Sequence, residues 1–335
     1  MHPIVRFRNA ISLIIIGVMT FAGSIVMATS PEETNVSDIG NDVLATPRAT
    51  VADFNGDGHP DYVLRNAGTR QTAIWYLNNN IFLGGAFGPT IVTGWFLKSA
   101  ADFNLDSHPD YALFNLTTAE TAIWYMSGPT FIGGSFGPTL PDGWEPVETG
   151  DFNGNFFPDY VLYNAGTRQT AIWYLINNVY VSGAFGPTLP AGWNVVGIAD
   201  FDGDSHEDYL LVNSATHQTA IWYLSGPTFI RGAYGPTISS GWILVATADF
   251  NGDGHPDYLL YNTVTRRTGI WYLNNNVYIS AAFGPALPAD WSLVGPGTDA
   301  GANSQRYTQW KAKPHRRDRA VLPAKLYRVA YAQSL

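Results

Sequence analysis

The segment DFNGDGHPDY begins at Asp53, and close copies begin at Asp102, Asp151, Asp200 and Asp249, each 49 residues after the one before. Two tryptophan series keep the same step: Trp75, Trp124, Trp173, Trp222, Trp271 and Trp95, Trp144, Trp193, Trp242, Trp291. So does a series of rings each followed by Gly-Pro, namely Phe87, Phe136, Phe185, Tyr234 and Phe283. A fixed period held through five units without an insertion restricts the chain to a solenoid, a propeller or another array of like units.

Each unit contains four short apolar runs, which in the last are residues 242–248, 257–262, 268–273 and 277–283. They are rich in Val, Ile, Tyr, Trp and Phe and are separated by Gly, Asn, Asp and Pro, as strands and turns are. No segment sustains a 3.6-residue period. Four antiparallel strands per unit are the content of one propeller blade; a β-solenoid coil is shorter, and helical repeats need another composition. The chain is therefore expected to be all-β, a β-propeller of five 49-residue four-stranded blades over residues 46–297. A sixth copy of the first run, residues 291–296, follows the fifth unit, whereas the stretch before the first unit carries Thr46 where the others have Trp. This mismatch predicts that the Trp291 strand completes the first blade and hides its edge. A fragment of a larger ring is the alternative.

Residues 1–28 read as a secretory signal: Arg6 and Arg8 precede an apolar run from Ile11, and Val26-Met27-Ala28 suits signal peptidase. A retained membrane anchor is the rival reading of that run. Residues 29–45 form a linker and 298–335 a basic, non-repeating tail. The expected location is secreted or cell-surface, with no stable membrane span after cleavage. The absence of cysteine excludes a disulfide framework, a thiolate metal site and a cysteine nucleophile. The chain carries −9 overall, residues 1–28 carry +2 and the last thirty +7, which leaves −18 between them. An excess that large calls for neutralisation in a compact body, and it makes nucleic acid a poor partner.

The acidic loops account for that charge. Each places oxygen-bearing side chains at positions 1, 3, 5 and 9 and offers a main-chain carbonyl at position 7. In the first these are Asp53, Asn55, Asp57 and Asp61, with the carbonyl of His59. The second has Asp102, Asn104, Asp106, His108 and Asp110; the third Asp151, Asn153, Asn155, Phe157 and Asp159. The fourth has Asp200, Asp202, Asp204, His206 and Asp208; the fifth Asp249, Asn251, Asp253, His255 and Asp257. Alternating placement in a tight loop turns successive oxygens toward one centre, and hard oxygen ligands select Ca²⁺. Up to five Ca²⁺ are expected, weakest in the third loop, which has two carboxylates. Position 12 is leucine in every copy, so an EF-hand does not fit. Asx-turn capping is the competing account, expected to explain one or two residues per loop.

DFNGDGHPDY followed by TAIWYLNN and a Gly-Trp strand resembles the bacterial FG-GAP/VCBS repeat family, related in blade pattern to integrin α-subunit propellers. The resemblance implies a calcium-stabilised β-propeller exported for adhesion or ligand recognition, with an extracellular protein or glycan as partner. Fungal lectins built from similar repeats bind sugars between blades. The sequence departs from the family pattern at Leu105, at Asn155-Phe156 and through the tail.

Other chemistry is thinly represented. The histidines at position 7 could hold a transition metal, but solvent-facing rings are the simpler reading. Paired carboxylates could serve a glycosidase, yet near-identical loops lack the asymmetry that acid–base catalysis needs. No HExxH or phosphate loop occurs. The tryptophans read mainly as blade-to-blade core, or as platforms for sugar rings. The sequence thus predicts a non-enzymatic, calcium-binding recognition or adhesion propeller. A carbohydrate-binding lectin, and then a carbohydrate-active hydrolase, are the alternatives.

Overall fold

The computed structural model describes residues 51–294, so the expected signal, linker and basic tail lie outside the described residues. Blade 1 consists of β1 (Val51–Ala52), β2 (Asp61–Asn66), β3 (Gln71–Asn78) and β4 (Ile81–Thr90). Blades 2 to 4 hold β5–β16 over residues 95–237. Blade 5 holds β17 (Trp242–Ala248), β18 (Asp257–Asn262), β19 (Arg267–Asn274) and β20 (Val277–Ala286). Within a blade each strand pairs antiparallel with the next, so the sheet order follows the sequence. The acidic loop joins first to second strand. The hairpin between third and fourth turns through left-handed backbone at Asn79, Gly128, Asn177, Gly226 and Asn275. Asn and Gly adopt that conformation at least cost.

The first strands contact one another in a closed cycle from β1 through β5 (Trp95–Ala101), β9 (Trp144–Gly150) and β13 (Trp193–Ala199) to β17 and back to β1. The five sheets thus form a ring of five blades. Its seal is a strand assembled from both ends. The chain returns as β21 (Trp291–Leu293), and Trp291, Ser292 and Leu293 pair with Asn66, Arg65 and Leu64. Val51 and Ala52 pair with Tyr62 and Asp61 farther along the same strand. Trp291 supplies the first-strand tryptophan of blade 1 and packs against Phe87, with ring centroids 5.9 Å apart.

Five apolar clusters fill the five junctions, each drawing on two adjacent blades. Their largest fully buried side chains include the tyrosine that follows each acidic loop: Tyr62, Tyr111, Tyr160, Tyr209 and Tyr258. The phenylalanine at loop position 2 meets the tyrosine of the next blade edge-on, as Phe54 meets Tyr111 and Phe250 meets Tyr62. The tryptophans of both series are half-buried and pack against these junction clusters, while their ring contacts lie within their own blades. Trp75 lies on Phe82, while Trp95 and Trp242 reach across the sheet to Phe136 and Phe283. The core therefore draws on the first three strands of each blade together with the loop phenylalanines, and the tryptophans line its margin.

Glycine in each Phe-Gly-Pro step is dictated by a neighbour. Thr72 Oγ1 donates to the Pro89 carbonyl (2.8 Å), and a Cβ at Gly88 would fall 2.4 Å from that hydroxyl. The outermost strands leave Phe87, Phe136, Phe185 and Phe283 exposed, as they also leave Ile81, Ile132, Val181 and Ile279.

Candidate metal sites

The sharp course of each acidic loop comes from left-handed backbone at positions 4 and 6, Gly56 and Gly58 in the first and Gly252 and Gly254 in the fifth. Leu105 and Ser107, Phe156, and Ser205 adopt the same conformation without being glycine. With the chain bent this way, position 1 sits inside the turn. Asp53 Oδ1 accepts from the amides of Gly56 (2.7 Å) and Asp57 (3.2 Å), and Oδ2 from Gly58 (2.8 Å). Asn55 Oδ1 accepts from Asp57 N, and Asp57 Oδ1 from His59 N, both at 2.9 Å.

Position 9 is different in kind. Asp61 is fully buried; its Oδ2 accepts from Phe54 N and its Oδ1 from Leu77 N, both at 3.0 Å. Asp110, Asp159, Asp208 and Asp257 repeat this arrangement with their own position-2 amide and third strand. Burial pushes the carboxyls of Asp61, Asp110 and Asp159 up to about 6 and those of Asp208 and Asp257 up to about 7. The two amides pull the other way, while the carboxylates at positions 1 and 5 beside Asp61 add to the rise. Backbone donors alone thus leave these buried charges under-compensated, and a cation among the loop oxygens would offset both burial and repulsion.

Turn capping accounts for more of each loop than the sequence suggested. In loop one all four oxygen-bearing positions accept a main-chain amide, rather than one or two of them. Asp and Asn oxygens have further lone pairs, so capping and cation binding are compatible. The His59 and His255 rings lie 3.1 and 3.3 Å from the amide groups of Asn78 and Asn274 on the blade's third strand.

The loops are unequal. Among the described residues, Asp200, Asp202 and Asp208 form a group whose ligand oxygens all lie within 4.8 Å of one another. The fourth loop also carries a cation of its own. Arg231 Nη2 lies 2.7 Å from Asp202 Oδ2, and the guanidinium sits 3.6 Å from the Tyr223 ring centroid. In the third loop Asn155 donates weakly to the Leu175 carbonyl (3.4 Å) and Phe156 is exposed.

Two residues escaped the sequence reading, Arg231 and Glu207. Glu207 replaces the proline found at position 8 in the other four loops. Burial, then Asp200, Asp208 and Asp151, pushes its carboxyl up to about 7. It packs on Gly150, where a Cβ would meet its Cδ at 3.3 Å. The other blades have alanine at that position, so both exceptions in the repeat belong to one contact.

Residues 200–260 match the FG-GAP-like repeat. No curated protein matches the sequence. Among solved structures, the chain is similar to a protein of unknown function from Bacteroides caccae, at 12% identity over 66% of this chain and 72% of that one, with a TM-score of 0.39. It is similar to part of the Photorhabdus luminescens Tc holotoxin pore at 17% identity, over 74% of this chain and 12% of that one, with a TM-score of 0.40. The Malassezia sympodialis allergen Mala s 1 gives 9% identity over 72% and 81% of the two chains and a TM-score of 0.38. The match spans the fourth and fifth acidic loops, and the 49-residue period carries the same loop pattern through all five blades of the closed ring. The chain is a five-bladed β-propeller that carries the FG-GAP-like repeat.

Proposed function

We propose that the chain is an exported, non-enzymatic recognition or adhesion propeller whose ring is stabilised by Ca²⁺ in the acidic loops. The observation that carries the calcium reading is the fully buried position-9 aspartate, repeated in all five blades beside further oxygen donors and compensated only by two amides. Asp53, Asn55, Asp57 and Asp61, and their counterparts in the other loops, would hold the ion. Ca²⁺ supplies charge compensation there and fixes the loop against the blade. Recognition is supported by the rim of exposed aromatic and β-branched side chains on the outermost strands, and export by the signal-like residues 1–28.

Binding to the folded state alone adds about 2.7 kcal/mol per site at a hundredfold excess over Kd. Thermal melts with Ca²⁺ and with EGTA are expected to differ clearly, with the chelated protein melting lower. Superimposable melts would remove calcium from the account.

A lectin is the second reading. It is favoured by a cleft of about 180 Å³ in blade 5, lined by Trp242, Trp271, Phe283, Leu260 and Gly269. Indole faces of this kind stack on sugar rings. A glycan array in Ca²⁺ tests it, with the signal expected to fall in Trp242→Ala.

A further inference from the structure

The five blades are near copies, so a group that fills a site in one blade shows what that site accepts in another. In blade 4 the guanidinium of Arg231 lies 3.6 Å from the Tyr223 ring centroid and 2.7 Å from Asp202 Oδ2. The wall of that space is the hairpin of blade 5, where Asn275 accepts a hydrogen bond from the Tyr223 hydroxyl. Forty-nine residues on, the same positions are Ser280, Tyr272, Asn251 and, in the hairpin of blade 1, Asn79. Tyr272 again donates to Asn79. With serine in place of arginine, these residues line an open cavity of about 420 Å³ between blades 5 and 1, also lined by Asp253 and Asn274. That volume is within the range of small-ligand sites, about 300–1,000 Å³.

We infer that this cavity is a receptor site for a guanidinium group, presented as an arginine side chain by a protein partner. The Tyr272 ring offers the face that Tyr223 gives Arg231, and a planar, weakly hydrated cation is the group that gains most from such a face. Asp253 supplies the anion. Its oxygens already accept from His255 N and Asn251 Nδ2, both at 2.9 Å, and each retains a lone pair for an incoming N–H. Asn251, where blade 4 has Asp202, contributes a neutral carbonyl, so the open site is less acidic than the filled one and leaves its charge to Asp253. The inference deepens the recognition reading and rests on it. It also sets arginine against Ca²⁺, because Asp253 belongs to the fifth acidic loop.

The probe is Nα-acetyl-arginine amide, titrated into the full chain in EGTA while the backbone NMR signals of residues 272–280 are followed. Saturable shifts there are expected, with affinity at least tenfold lower for the citrulline analogue, which keeps the shape and loses the charge. Ser280→Arg copies blade 4 and fills the cavity from within. It is expected to keep the wild-type melting temperature and to lose the probe by at least tenfold. Equal binding of arginine and citrulline probes, unchanged binding in Ser280→Arg, or no shifts at residues 272–280 would each overturn the assignment. A Ca²⁺ titration of the wild-type chain without probe reports separately on the calcium reading.

Discussion

Leu105 and Phe156 hold left-handed backbone, with φ of 60° and 72°, where all four other loops place glycine at position 4 and two place it at position 6. A side chain there costs about 1–2 kcal/mol, and both are exposed, so little packing is lost by trimming them. Glycine gives back about 0.5–1 kcal/mol through the looser unfolded chain. Leu105→Gly is therefore expected to raise stability by about 0.5–1 kcal/mol, read as a higher midpoint in urea melts. Charge sets a second expectation. Asp57→Ala should cost more Ca²⁺ affinity than Asn155→Ala, since it removes a carboxylate from a loop with three of them; calorimetric titration ranks the two. Arg231→Ser should tighten Ca²⁺ in the fourth loop by freeing Asp202 from its ion pair, and the same titration reads it. Positions 1, 3, 5 and 9 are legible in any single repeat because backbone geometry fixes which side chains turn inward. Arg231 is not, because its partner lies 29 residues earlier and only the fold brings them together. The available signal was that Asp202 and Arg231 break the repeat in the same blade.

Hairpins do more than end a blade. Asn80, Asn178 and Asn276 each donate to a carbonyl of the preceding blade's outer strand, on Phe283, Ser135 and Tyr234 respectively. Blades 2 and 4 have proline at that position and cannot. The latches differ in depth. Asn178 is 3% exposed, reaches both the carbonyl and the hydroxyl of Ser135, and accepts from the Tyr160 hydroxyl. Removing it strands buried polar partners, which costs about 1–3 kcal/mol. Asn178→Ala should thus lower the unfolding free energy by that amount, while Asn80→Ala, at an exposed bond, should stay under about 1 kcal/mol; chemical denaturation compares them. Strand number and order were readable from the runs and turns. The tryptophans were harder to place because a periodic aromatic reads alike as core or margin. What decides is which ring each one meets. The tryptophans pack across their own sheet toward the outer strand, whereas Tyr62 and its counterparts enter the neighbouring blade.

Closure belongs to the ring as a whole. Without β21 the first blade keeps a two-residue inner strand, and most of β2 is left as an open edge between Tyr62 and Asn66. A chain ending at Pro288 is expected to melt lower and to associate, whereas one ending at Thr298 should remain as stable as the full chain; size-exclusion chromatography and thermal melts distinguish the two. This seal was visible in the sequence as a tryptophan missing from one end and surplus at the other.

The shared strand also makes the starting point of the ring arbitrary. Val294 N donates to the Val63 carbonyl (3.0 Å), and Val51 pairs with the adjacent Tyr62. By the register of the seven-residue β5, one residue bridges Val294 and Val51 to give an uninterrupted inner strand. The polypeptide could then be opened at another connection between blades, with every strand keeping its partners. Such circular permutants trade one split strand for another intact one, so the order in which the blades are read is a property of the gene and not of the architecture.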